Sequence, residues 1–135
     1  MRHSFLLAYQ LITGLSDTGT GLLLYMAPAF ALSLMGLHAP SEAYPYVSYI
    51  GAFVLSIGMS CLYGARLIAR DAPPGRIETV WLLTAFSRGA VAIYVLKGII
   101  AGEFAVPWLT VAAFDTACVV IQAVGMRKRW LVHAR

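Results

Sequence analysis

Apolar residues fall into four long stretches, about 4–27, 46–69, 77–100 and 105–126. Each is long enough to cross a hydrocarbon layer of ~30 Å as a helix, which takes roughly 20 residues. Prolines and short polar segments separate them. Pro28 lacks an amide donor and suits a first helical turn, so it ends the first helix and restarts another. The segment PAFALSLMGL, over 28–37, is too short to span and predicts a short interfacial helix ended by Gly36. A polar connector with Pro40 and Pro45 leads into the second stretch. The RLIARDAPPGR segment with Pro73, Pro74 and Gly75 is a definite turn, and Gly102-Glu103 is a very short one. Short turns between long helices predict an all-α, up-down-up-down bundle of four transmembrane helices. The whole chain reads as a single transmembrane domain, with no linker or low-complexity tract.

Within the stretches the polar positions are not random. Gln10, Thr13, Asp17, Thr20 and Gly21 share one face of the first helix at helical spacing. Ser56, Ser60 and Gly64 form a small-xxx-small ladder in the second, which predicts close approach of a neighbouring helix. Tyr44, Tyr46 and Tyr49 at one edge, and Trp81 and Trp108 at others, have the placement of interfacial aromatics.

Composition sharpens this picture. The chain is 60% hydrophobic and 12% charged, against roughly 25% charged residues in soluble domains. Six acids cannot solvate the surface of so apolar a domain. The net charge of +4 does not point to nucleic acid, because the basic residues gather at the ends of apolar runs and form no patch with interleaved aromatics. They cluster at Arg2, at Arg66, Arg70 and Arg76, and at Arg127, Lys128, Arg129 and Arg135. The positive-inside rule then places both termini and the middle loop in the cytoplasm. The first run continues past Ala27 without a small-residue cleavage site, so it is expected to remain in the mature protein.

Three charges lie inside the runs: Asp17, Arg88 and Asp115. A guanidinium in hydrocarbon costs about 2.5–3.5 kcal/mol on insertion scales unless it is paired. Arg88 lies eleven residues from Ile77, and Asp115 eleven from Met126. At 1.5 Å per residue both are about 16 Å deep, near the midplane. Their helices are joined by a tight turn and must be antiparallel neighbours, so the two are expected to pair. Asp17 counts to within about one turn of the same depth, which makes Asp17–Arg88–Asp115 the economical cluster. Gln10, Thr13, Thr84, Cys118 and Gln122 line the same faces nearer the cytoplasm and are candidates for a polar cavity. Two readings stay open: a buried ion pair that sets helix register, or a surplus carboxylate that takes a proton or a ligand.

Other chemistry finds little support. His3, His38 and His133 all lie at interfaces, so bis-histidine haem within the bundle is not expected. Cys61 and Cys118 have no CxxC or histidine companion, and no metal site is expected. Ser16, Ser60 and Ser87 lack a histidine base, and no catalytic residue is assigned. No cofactor is predicted, although the aromatic edges are compatible with quinone, lipid or pigment contact.

The stretch TGLLLYMAPAFALSLMGL after a polar first span, the glycine-rich IGAFVLSIGM and the short fourth span together resemble the small four-span bacterial membrane proteins grouped as DoxX-like. Named members of that group look like membrane subunits associated with quinone-linked oxidoreductases. The resemblance implies a four-helix bundle and a partner complex, and it carries over no catalytic residue. The expectation is a non-catalytic membrane subunit beside larger membrane proteins of an electron-transfer or energy-converting complex. The alternative is a small transporter or ligand-binding bundle centred on Asp17, Arg88 and Asp115.

Overall fold

The computed structural model describes residues 2–132. His133 and Arg135 lie outside the described residues, as does the Arg2 side chain. The described chain contains helices α1 (Arg2–Met26), α2 (Pro28–Leu34), α3 (Tyr44–Ala69), α4 (Pro74–Ile100) and α5 (Leu109–Arg127). Short 3-10 turns at Ser41–Ala43 and Val106–Trp108 lead into α3 and α5, and no strand occurs among the described residues.

Among the described residues three segments are long and apolar enough to cross a membrane: Ser41–Ala69, Pro74–Ile100 and Val106–Arg127. This is the make-up of a membrane protein whose apolar helices contact lipid. The hydrophobic pattern led us to expect four such helices. α1 has the length, at 25 residues, but Gln10, Thr13, Ser16, Asp17, Thr18 and Thr20 leave it less apolar than the other three.

Prolines set most helix starts. Pro28 and Pro74 each occupy the first turn of their helix, where no intrahelical donor is needed. α4 therefore begins at Pro74, three residues before the expected Ile77. Pro107 sits in the turn that precedes α5, so the regular helix begins at Leu109 instead of near residue 105. Four helix ends close by one hydrogen-bond scheme, in which a 6→1 and a 5→2 bond satisfy the last carbonyls. At the end of α5, Trp130 N–H donates to the Gly125 carbonyl at 2.9 Å and Arg129 N–H to the Met126 carbonyl at 3.1 Å. The scheme needs a left-handed residue. Gly36 and Gly102 supply it after α2 and α4, but Asp71 (φ 49°) and Arg129 (φ 51°) supply it after α3 and α5.

The chain divides into two compact units, Leu6–Arg66 and Met1–Phe5 with Leu67–Arg135. In the first, α1 and α3 run antiparallel with their backbones touching. A Cβ on Gly21 would fall 2.6 Å from the Leu55 Cα and 2.9 Å from the Gly51 carbonyl oxygen. A Cβ on Gly51 would fall 2.5 Å from the Tyr25 nitrogen. Only glycine permits this approach, and helix pairs in lipid gain most of their affinity from such packing. Ser56 and Ser60, expected to line the close seam, are instead exposed, and their hydroxyls donate to the Ala52 and Ser56 carbonyls at 2.8 Å. Gly51 and Gly58, on the opposite side of the helix from the two serines, take that role. Thr20 is exposed too, because the buried face of α1 runs through Gln10, Thr13, Asp17, Gly21 and Leu24.

In the second unit α4 packs antiparallel on α5. α4 buries Ile77, Trp81, Thr84, Arg88, Ala92, Val95 and Gly98, and α5 buries Ala112, Asp115, Cys118, Gln122 and Gly125. Both series step by three and four residues, the spacing of one helix face. The seam is clamped at both ends by aromatic rings against glycine: Phe104 on Gly98, and Trp81 with Trp130 on Gly125. The other faces carry large exposed apolar side chains, among them Ile12, Leu15, Phe53, Leu83, Phe86 and Ile93.

Candidate functional site

The α4–α5 seam is apolar at its ends and polar in its middle. Arg88 stands on α4 one turn beyond Thr84. Asp115 and Gln122 stand two turns apart on α5, with Cys118 between them. Because the helices are antiparallel, these residues meet in two tiers.

In the first tier the Arg88 Nη1 donates to Asp115 Oδ1 at 2.7 Å. Arg88 is 3% exposed and Asp115 9%, so solvent does little to screen their attraction. The guanidinium carbon also lies 5.3 Å from the centroid of the Phe114 ring, which adds a cation–π contact. A guanidinium on a helix of this apolarity is thus held by a charge-assisted hydrogen bond and an aromatic face from the same neighbouring helix.

In the second tier the Gln122 Nε2 donates to Thr84 Oγ1 at 2.8 Å. That hydroxyl donates in turn to the Val80 carbonyl at 2.8 Å. The threonine therefore uses its one donor along its own helix and offers a lone pair across the seam. Gln122 Oε1 is buried without a hydrogen-bond partner among the described residues, although Gln122 is fully buried. Cys118 and Cys61 are buried, one in each unit.

The remaining candidates belong to the Leu6–Arg66 unit. Gln10, Thr13 and Asp17 are buried on one face of α1. Thr13 satisfies itself by donating to the Tyr9 carbonyl at 2.8 Å. Gln10 is fully buried, and neither its Nε2 nor its Oε1 has a hydrogen-bond partner among the described residues. Buried amides of this kind cost about 1–3 kcal/mol each when unmet. The structure thus brings together Arg88 with Asp115 and Thr84 with Gln122, and sets Gln10, Thr13 and Asp17 on the buried side of α1. Among the described residues no three His, Cys, Asp or Glu side chains are grouped to hold a metal ion.

Two participants escape the sequence reading. Trp81, read as an edge anchor, is 0% exposed and forms the floor of the seam against Gly125. Its spacing of three and seven residues from Thr84 and Arg88 puts it on their face, and this signal was available in the pattern. Phe114 escaped because no spacing rule says which ring a guanidinium covers.

Compared with family models, with curated proteins and with solved structures, the chain matches none.

Proposed function

We propose that this chain is a non-catalytic integral membrane subunit. Its four long helices cross a bacterial inner membrane with both termini in the cytoplasm, and it packs beside larger membrane proteins of an electron-transfer or other energy-converting complex. The observation that carries the reading is the division of side chains. The strongly polar groups on α4 and α5 are turned onto each other, as Arg88 on Asp115 and Gln122 on Thr84. The outward faces are large apolar side chains, and α3 is joined to α4 by residues 70–73 alone. A bundle whose helices are joined by such short connections works through helix faces. Exposed apolar patches of this extent mark lipid or protein contact.

The fourth crossing is assigned to α1. Its polar residues Gln10, Thr13 and Asp17 are buried, so the face left outside carries Ile12, Leu15, Leu22 and Leu23. The cytoplasmic side follows from Arg66, Arg70, Arg76, Arg127, Lys128 and Arg129. The resemblance to DoxX-like proteins points the same way, towards a quinone-linked assembly.

The test is purification of the untagged assembly in mild detergent, followed by mass spectrometry. A fixed stoichiometry with larger membrane subunits is expected. A stable monomer or homo-oligomer that brings nothing with it would overturn the subunit role.

A second reading has its own support. Gln10 and the Gln122 Oε1 are buried polar groups with no hydrogen-bond partner among the described residues, as in a bundle that binds a small polar ligand or quinone or conducts a proton or anion. Arg88, Asp115 and Asp17 are its charged residues. Liposome flux that is lost in Arg88→Ala and Asp115→Ala, with folding preserved, would favour it over the subunit role.

A further inference from the structure

The inner end of the α4–α5 unit has a feature that the subunit role does not use. A groove of about 410 Å³ is lined by Glu78, Met126, Arg129 and Val132. Its volume lies in the range of small-molecule sites, about 300–1,000 Å³. It lies between the first turns of α4 and the turn that follows α5. Because the two helices are antiparallel, both of these segments belong to the end that carries the basic residues.

The groove has a polar wall and an apolar one. Arg129 and Glu78 supply the polar wall, and neither takes part in a salt bridge among the described residues. Met126 and Val132 supply the apolar wall. Arg76, Arg127 and Lys128 flank it as exposed side chains, so four cations stand at these two helix ends against the single acid Glu78. Arg129 is held by the backbone: the Schellman turn fixes it with φ 51°, a conformation that costs least for glycine. Beside it, Trp130 is pinned by its contact with Gly125 and by the Phe5 ring at 5.9 Å, edge to face.

We propose that this groove is a binding site for an anionic phospholipid. The headgroup phosphate lies against the Arg129 guanidinium, the Glu78 carboxylate accepts hydrogen bonds from headgroup hydroxyls, and the first acyl methylenes run along Met126 and Val132. The occupant is chosen by charge and by depth. Basic pockets at the cytoplasmic ends of transmembrane helices meet phosphate at the headgroup level, and a fork of N–H donors suits phosphate oxygens. Tryptophan at that level presents an apolar body and one donor, as interfacial tryptophans do. The assignment rests on the bilayer placement above but not on the subunit role.

The test uses the purified full-length chain carrying Trp108→Phe, reconstituted in phosphatidylcholine vesicles. Trp81 is fully buried, so lipid-sensitive emission comes from Trp130. Phosphatidylglycerol and phosphatidylcholine with brominated acyl chains are compared as quenchers at equal mole fraction. Brominated phosphatidylglycerol is expected to bind beside Trp130 about fivefold better, the worth of one basic contact at a membrane surface. Arg129→Gln should abolish the preference, while Lys128→Gln should leave most of it. Equal quenching by both lipids in the parent chain would overturn the proposal. So would equal losses in Arg129→Gln and Lys128→Gln, which mark diffuse attraction and no built site. Relief of quenching by soluble glycerol phosphate would overturn the lipid assignment in favour of a free phosphate site. Circular dichroism of each variant checks that the helices persist. The isolated chain suffices, so failure here leaves the subunit role standing.

Discussion

Arg88 and Asp115 are joined at 2.7 Å across the α4–α5 seam, both almost wholly buried. One tier away, Gln122 donates to Thr84 at 2.8 Å. These two bridges tie the same helices at two depths, and their loss should be felt very differently.

Removing one member of the ion pair takes from the other its charged partner across the seam. Arg88→Leu or Asp115→Leu alone is expected to destabilise the chain by about 3–5 kcal/mol. The double variant Arg88→Leu with Asp115→Leu should recover most of that, because two leucines leave no charge in the α4–α5 seam. Reversible unfolding in mixed micelles measures all three. Additive losses in the double variant would show that the two residues do not act as a pair.

The Thr84–Gln122 bridge is neutral, and interhelical hydrogen bonds in membrane proteins average only about 0.6 kcal/mol by double-mutant cycles. A cycle of Thr84→Val and Gln122→Leu should therefore give a coupling below about 2 kcal/mol. A coupling as large as that of the ion pair would mean that the Gln122 amide holds more than the threonine.

Glycines of α1 should divide by their surroundings. Gly19 has open space where a Cβ would go, whereas a Cβ on Gly21 would meet the Leu55 backbone. Gly19→Ala is expected to stabilise the helix by up to about 1 kcal/mol through propensity alone. Gly21→Ala should do the reverse and force α1 and α3 apart, read as loss of a cysteine cross-link engineered between them. Similar effects of the two substitutions would contradict the close approach.

Arg129 is a cation in a position that favours glycine. Left-handed backbone costs a non-glycine residue about 1–2 kcal/mol. Arg129→Gly is thus expected to hold or raise thermal stability while it removes the preference for anionic lipid near Trp130. A clear drop in stability would show that the side chain has a structural role that the turn does not reveal.

Much of the architecture is written in simple periodicities. Prolines at 28, 74 and 107 punctuate the helices because a missing donor and a fixed φ act locally. Polar residues on α1 and charges inside the apolar runs were visible for the same reason. Counting along a helix at 1.5 Å per residue put Arg88 and Asp115 at one depth, since two helices joined by a tight turn share an origin. The interior role of Trp81 was legible in its spacing from Thr84 and Arg88, but its character as an aromatic at a helix edge suggested an anchor.

Other relationships depend on how helices rotate about their axes, which no single helix specifies. Ser56, Ser60 and Gly64 and the pair Gly51 and Gly58 are both acceptable close-packing stripes on α3. The choice fell to the glycines because the α1 backbone, itself cleared by Gly14 and Gly21, comes nearer than a serine side chain allows. The Phe114 ring under Arg88 and the groove beside Arg129 likewise join residues from different turns. The helical, apolar character of the chain and the place of its charges along the helices were thus decided by the sequence, through forces that act within a helix. Which face meets which neighbour was decided by the tertiary structure, because backbone-to-backbone packing is a property of two helices together.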